Sequence, residues 1–356
     1  MKDAIRTYAT RALYLSFILV PIFLLYFWAH FAISRMTQTA AVYPSIHCTG
    51  AAAGDFACHK RHFDTLAGTF GERVALADLK RLYARDPFVV SQCHQLAHGI
   101  GNVAARSYPD IADAFVNGDA ICWSGYYHGV VEEFVHERGK NAFMNNADRM
   151  CANIKDKERY SFDYYNCVHG LGHGVMAVTK NELFESLTLC DSLSGDWERR
   201  SCYGGVFMEN VMVDNRNHYA AYLKPDDLLY PCNAVDHAYK EECYKMQTSY
   251  ALTKNGRDFD KLFTLCASAD PDFQNTCAQS IGRDASGSSV SDVEQTKTTC
   301  ALADTDDQYA NCAIGAVKDF VSYFHGDEKA REFCFAIPTR FQNTCETALM
   351  EQWRTL

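Results

Sequence analysis

Several familiar signatures are missing from this 356-residue sequence. Its sixteen cysteines form no CxxC pair and no CxxCH run, which excludes zinc-ribbon ligation and covalent haem attachment. No GxSxG elbow, Walker loop, dinucleotide-binding glycine motif or HExxH helix occurs, so the common hydrolase, nucleotide and metalloprotease motifs are absent. No Lys/Arg-rich block offsets the formal net charge of -10, and phosphate backbones are repelled. Nucleic acid is thereby excluded as a partner. At 48% hydrophobic and 22% charged residues, the chain is neither disordered nor a multi-span membrane protein. Length alone suggests about two domains.

Only one long apolar run is present, ALYLSFILVPIFLLYFWAHFAI over residues 12–33. It holds no Lys, Arg, Asp or Glu, and as a helix it is long enough for a hydrocarbon core of about 30 Å. Lys2, Arg6 and Arg11 precede it while only Arg35 follows closely, so the positive-inside bias keeps residues 1–11 in the cytoplasm and exports the rest. A cleaved signal peptide is the rival reading, but its apolar core is usually about 7–15 residues. The interfacial aromatics Tyr26, Phe27 and Trp28 favour an uncleaved anchor. The expectation is a single-pass membrane protein whose main domain is periplasmic, extracellular or luminal. A high, even cysteine count suits such an oxidising compartment.

From Cys151 onward, cysteine gaps of 16, 12, 11, 11, 12 and 11 residues alternate with longer ones, and the first member of each pair recurs after 39, 42, 34, 34 and 34 residues. That period belongs to stacked helix-turn-helix repeats. Segments such as FDKLFTLC end at a first cysteine, and segments such as CAIGAVKDFVSYF start at a second. Each repeat therefore reads as an antiparallel hairpin, helix A ending and helix B starting at a bridged cysteine. The bridges are Cys151 with Cys167, Cys190 with Cys202, Cys232 with Cys243, Cys266 with Cys277, Cys300 with Cys312, and Cys334 with Cys345. Closing such short loops contributes roughly 2–4 kcal/mol each. Cys48, Cys58, Cys93 and Cys122 allow three connectivities, of which Cys48 with Cys58 and Cys93 with Cys122 is the first choice.

The expected fold is all-α, a disulfide-stapled helical-hairpin solenoid of right-handed αα repeats on one N-terminal transmembrane helix. A linker and first helices occupy 34–90, histidine-containing repeats 91–220 and regular stapled repeats 221–356. Residues 150–350 resemble the cysteine-stapled helical repeat proteins related to the tetratricopeptide repeat. The resemblance implies architecture, export and a partner-binding role; it carries over no functional residue. The spacing of 11 to 12 is longer than that family's, and the family does not require the histidines found here.

Those histidines recur in register. CHQLAHG, CWSGYYHG and CVHGLGHG place His98, His128 and His173 five or six residues past a cysteine, each followed by glycine. Side chains four apart share one helix face, which pairs His94 with His98, His128 with Glu132, and His169 with His173. In the next repeat the same region holds Met208 and Glu209, and later ones hold Ser249, Arg283, Lys318 and Glu351. Imidazoles with one or two carboxylates suit zinc, iron or copper. The expected metal ligands are His94, His98, His128, His169, His173, Glu132 and Glu209, with Glu132 or Glu133 as a general base for metal-bound water. Non-covalent haem held by two of the histidines is a lesser possibility, and His47, His59 and His62 beside Cys48 and Cys58 are weaker candidates.

Two functions follow from different classes. One is an anchored extracytoplasmic metalloenzyme, hydrolytic with zinc or redox-active with iron or copper. The other is a structural or assembly subunit gripping membrane or extracytoplasmic proteins through the solenoid, with the histidines packed in its core. An adaptor for peptides or sugars shares the architecture and has no specific motif.

Overall fold

The computed structural model describes residue 48 and residues 50–212, 220–289, 292–324 and 326–354. The apolar run at 12–33, with the topology inferred from it, lies outside the described residues, as do His47, His218 and His325. Among the described residues no helix is long and apolar enough to cross a membrane.

Short acidic or hydroxyl side chains start many of the helices by accepting a first-turn N–H that has no partner within the helix. Asp55 caps α1 (Phe56–Phe70) through the Ala57 amide, and α2 (Glu72–Tyr83) follows after Gly71. Asp86, with proline next in the chain, caps α3 (Pro87–Ala105). Asp110 caps the short α4 (Ile111–Phe115). Helix α5 (Ile121–Met150) breaks at Gly139, whose φ is 76°. It therefore serves both as the B helix of Cys122 and as the A helix leading to Cys151. Ser161 caps α6 (Phe162–Thr179), followed by α7 (Leu183–Cys190) and α8 (Asp196–Val211). The remainder comprises α9 (His237–Lys254), α10 (Phe259–Ala267), α11 (Gln274–Ser288), α12 (Val293–Cys300), α13 (Asp306–Phe324), α14 (Glu328–Ala336) and α15 (Thr339–Trp353). No strand occurs among the described residues; Lys224 and Asp227 form one isolated bridge.

The hairpin pattern is observed with two differences. B helices begin ahead of their cysteines: α6 starts at Phe162, before Cys167, and α8 at Asp196, before Cys202. In α6 the first-turn amide of Tyr164 is satisfied by the cap Ser161, well before the cysteine. No helix A precedes Cys232 in the described residues, because residues 220–236 form turns. Pro225 and Pro231 lie there, and each removes an amide donor and clashes with a preceding helical turn.

All sixteen cysteines are bridged. The six short-loop pairs form as expected, and Cys48–Cys58 and Cys93–Cys122 join them, with Cα separations between 5.4 and 5.9 Å. Cys48–Leu356 forms one compact unit. Within it, α3, α5, α6, α8, α9, α11, α13 and α15 pack each against the next, burying residues such as Leu96, Ile100, Tyr126, Phe207, Tyr244 and Phe320. Fully burying one large apolar side chain contributes roughly 1.5–3 kcal/mol. The row also turns back on itself, since α13 meets α5. There Trp123 Nε1 donates to Asp319 Oδ1 at 3.2 Å and its ring lies tilted against that of Tyr323, whose hydroxyl reaches that of Tyr83 at 2.8 Å.

Glycine sets the spacing of these inner helices. A Cβ at Gly129 would collide with the His98 carbonyl oxygen, and one at Gly205 with that of His169. At Gly204 an added Cβ would meet only His169 Nδ1 at 3.3 Å and Glu242 Oε2 at 3.5 Å.

Two outcomes are expected. Non-reducing peptide mapping should recover all eight bridges, and free thiols at these positions would refute the stapled fold. In denaturant unfolding, Gly205→Ala should lose about 1–3 kcal/mol to overpacking, while Gly204→Ala should leave stability unchanged or raised by up to about 1 kcal/mol through helix propensity. Equal losses in both would contradict the close helix approach at Gly205.

Candidate metal centre

Helices α3, α5 and α6 bring five imidazoles together. His94 and His98 come from α3, His128 from α5, and His169 and His173 from α6. His128 is the hub: its ring centroid lies 4.7 Å from His173, 4.9 Å from His169, 5.3 Å from His94 and 6.2 Å from His98. The close helix approach at Gly129 and Gly205 makes this convergence possible, because the carbonyls those glycines meet belong to His98 and His169 themselves.

The outward ring nitrogens are tied to acceptors. His94 Nδ1 bonds the Cys122 carbonyl oxygen at 2.8 Å. His98 Nδ1 meets Glu132 Oε2 at 2.9 Å, and His173 Nδ1 meets Glu209 Oε2 at 2.7 Å. A carbonyl or carboxylate only accepts, so each of these Nδ1 atoms carries the hydrogen, and in the neutral ring the lone pair is on Nε2. His169 Nδ1 lies 3.3 Å from the Tyr165 hydroxyl. The other side of the cluster has no such partners: His94 Nε2, His128 Nδ1, His169 Nε2 and His173 Nε2 are buried without a hydrogen bond. Each such group costs about 1–3 kcal/mol when left unsatisfied, and buried polar atoms in native folds are rarely left so.

Burial drives the His94 imidazole down to about 3, helped by His98 and His173. Burial first, and the neighbouring rings second, hold His128 and His169 well below the ordinary imidazole range. Neutral imidazole is the form that ligates a metal. Ligand atoms lie within 4.8 Å of one another in three overlapping groups: His94, His98 and His128; His128, His169 and His173; and His98, His173 and Glu209. Each pair of groups shares one histidine.

All five expected histidines thus meet, and Glu209 meets them. Glu132 supports His98 from outside and joins none of the three groups. Glu133 faces away: its Oε1 accepts from Arg106 Nε at 2.8 Å. The candidate base pair of adjacent glutamates is therefore divided between a histidine support and an ion pair of buried Glu133 with the exposed Arg106, in line with the roughly 100° step between helix neighbours. The weaker candidates do not assemble, since Cys48 and Cys58 are bridged to each other and His62 Nε2 pairs with Asp78 at 2.6 Å.

Tyr165, against His169, and Glu242, which with His169 flanks Gly204, are neighbours of the cluster that the cysteine register did not reveal, because both precede the cysteine of their helix. The signal was present in the spacing of Tyr165, His169 and His173, which share one helix face at intervals of four. Burial raises both groups, the Tyr165 hydroxyl to about 12 and the Glu242 carboxyl above its usual range. No protein family, curated protein or solved structure matches this chain.

Proposed function

We propose that this chain is a membrane-anchored, extracytoplasmic metalloprotein in which His94, His98, His128, His169 and His173 bind transition metal. The observation that carries this reading is the set of four buried ring nitrogens without hydrogen-bond partners, aimed into one cluster. A packed polar core would pair those nitrogens with donors or acceptors; a metal site leaves them for the ion. The supports fit as well, since metal-bound histidines commonly give their second N–H to a carboxylate or carbonyl. In this reading Glu132 and Glu209 orient His98 and His173, and the Cys122 carbonyl orients His94. Because the three ligand groups share corners, they suit one ion, or two that share a histidine or a bridging solvent molecule.

Nitrogen donors without thiolates suit zinc, iron and copper. Zinc supplies an activated water for hydrolysis, and iron or copper supplies redox chemistry. Haem is disfavoured, because any two of these imidazoles are surrounded by the others where a porphyrin plane would lie. The solenoid arrangement and the helix at residues 12–33 complete the proposal, supported by the cysteine period and by the charge bias around the apolar run. The compartment is supported by the eight bridges.

Elemental analysis of protein carrying no histidine tag should find one or two Zn, Fe or Cu ions per chain. His128→Ala and His173→Ala should lose the metal, while Glu133→Gln should keep it. Chelation should lower stability by about 4 kcal/mol if free ion stood a thousandfold above Kd. Metal-free protein with normal folding would leave the assembly-subunit reading in its place. For the anchor, the full chain should sediment with membranes, and a form lacking residues 1–35 should be released with its bridges intact; membrane retention of that shortened form would contradict a single span.

A further inference from the structure

Among the six short bridged loops, Cys151–Cys167 is the longest, closing 16 residues where the others close 11 or 12. This loop carries Tyr160, Tyr164 and Tyr165 ahead of His169. Tyr160 takes up the left-handed region, with φ 53° and ψ 46°, a conformation that a bulky side chain rarely adopts unless its surroundings hold it there. Its ring lies 4.7 Å from that of Trp197, in the first turn of α8. The same indole stacks on Tyr164 at 5.6 Å with the planes 8° apart, and meets Tyr165 edge-on at 6.2 Å. Tyr165 lies 5.3 Å from His169 between ring centres, and its hydroxyl lies 3.3 Å from Nδ1.

These rings form an unbroken line from a ligand histidine to the surface. Each step falls within the range of favourable aromatic contact, yet the line is not part of the core. Tyr160 is 45% exposed and Tyr165 38%, with Trp197 half-buried between them. Aromatic rings placed for apolar burial lie inside, as Tyr126 and Tyr244 do; this set runs outward. Electron tunnelling weakens steeply with distance, so short steps between oxidisable rings outpace one long step through aliphatic side chains. Tyrosine and tryptophan give up a single electron far more readily than phenylalanine.

We infer that Tyr165, Trp197 and Tyr160 carry single electrons from a one-electron donor at the surface to an iron or copper ion held at His169. The inference rests on the metal reading and narrows it to a redox-active ion. A His169 that ligates through Nε2 carries its hydrogen on Nδ1 and donates it to the Tyr165 phenolic oxygen, which leaves the phenol's own hydrogen for the water at its exposed edge. The ion, once oxidised, takes one electron from Tyr165, and the phenolic proton passes to water. Tyr165 regains an electron from Trp197 and a proton from water. Trp197 is refilled by Tyr160, and Tyr160 by the external donor. The net change is one electron lost by the donor and one gained by the ion. Hydrogen peroxide is the oxidant class that suits this route, since its conversion to two waters consumes two electrons and two protons, hence two passes along the chain.

The test starts from full-length protein in detergent, with its metal content measured. It is mixed with hydrogen peroxide without a reductant, freeze-quenched for electron paramagnetic resonance and mapped by peptide mass spectrometry. An organic radical is expected, with oxidation at Trp197 at least tenfold above that at Trp353, although Trp353 is the more exposed indole. Tyr165→Phe should retain the metal and lower Trp197 oxidation at least tenfold. Trp197→Phe should leave the radical on Tyr165 and spare Tyr160. Equal oxidation of the two indoles, or Trp197 oxidation undiminished in Tyr165→Phe, would mean a diffusing oxidant and overturn the route. Bound iron or copper that yields no radical overturns it also, as does bound zinc alone, and both leave the metal reading standing. Protein that holds no metal sinks the metal reading, and the route falls with it.

Discussion

Inner helices meet backbone to backbone where Gly129 lies against the His98 carbonyl and Gly205 against that of His169. No other residue type fits at these points. Each glycine costs its helix about 1 kcal/mol relative to alanine, and dense packing between inner helices offsets that cost. The consequence is chemical as well as mechanical. Imidazoles from the two flanking helices come within 4.7–6.2 Å of the His128 ring, a spacing that helices separated by ordinary side chains would not give.

A centre of this kind needs a rigid surround. Four buried nitrogens without partners oppose folding by about 1–3 kcal/mol each, and a loosely held chain would relax to hydrate them. Bridges are placed where they resist that relaxation. Cys93–Cys122 ties α3 to the start of α5, next to the Cys122 carbonyl that fixes the His94 ring, and Cys151–Cys167 anchors α6 ahead of His169. Crosslinks that began as a mark of compartment thus hold the supports of the ligands. The carboxylates complete this function: Glu132 and Glu209 fix ring tautomers, leaving the nitrogen lone pairs for the interior.

How much of this was legible in the sequence depends on whether the feature is local. The cysteine period exposed the hairpins because a bridge closing 11 or 12 residues is a local constraint. The histidine register exposed the centre because positions four apart share a helix face whatever surrounds the helix. Three things were hidden. The missing helix A before Cys232 follows from Pro225 and Pro231, whose breaking effect was outweighed in the pattern by the regular cysteine gap. The separate fates of Glu132 and Glu133 depend on Arg106, 27 residues upstream of Glu133. The return of α13 rests on Trp123 of α5 with Asp319 and on Tyr83 of α2 with Tyr323, pairs 196 and 240 residues apart, which no periodicity encodes.

That return contact changes what the repeat means. In an open row, a position repeated on each inner helix would line an extended face, and its chemistry could drift independently from one repeat to the next. When the row closes on itself, the first and last occupants of the register come onto neighbouring helices, and their charges must be compatible. The register holds imidazoles on α3, α5 and α6 and Lys245, Arg283 and Lys318 on α9, α11 and α13. Gly204 stands between the two groups at the point where a side chain would have separated His169 from Glu242. Burial keeps His94, His128 and His169 uncharged, so these three rings add no repulsion to the cations on the later helices. The change from histidine to basic residues along the chain is therefore set within one row whose ends meet, so a charge introduced at one register position acts on the neighbouring helices as well as on its own.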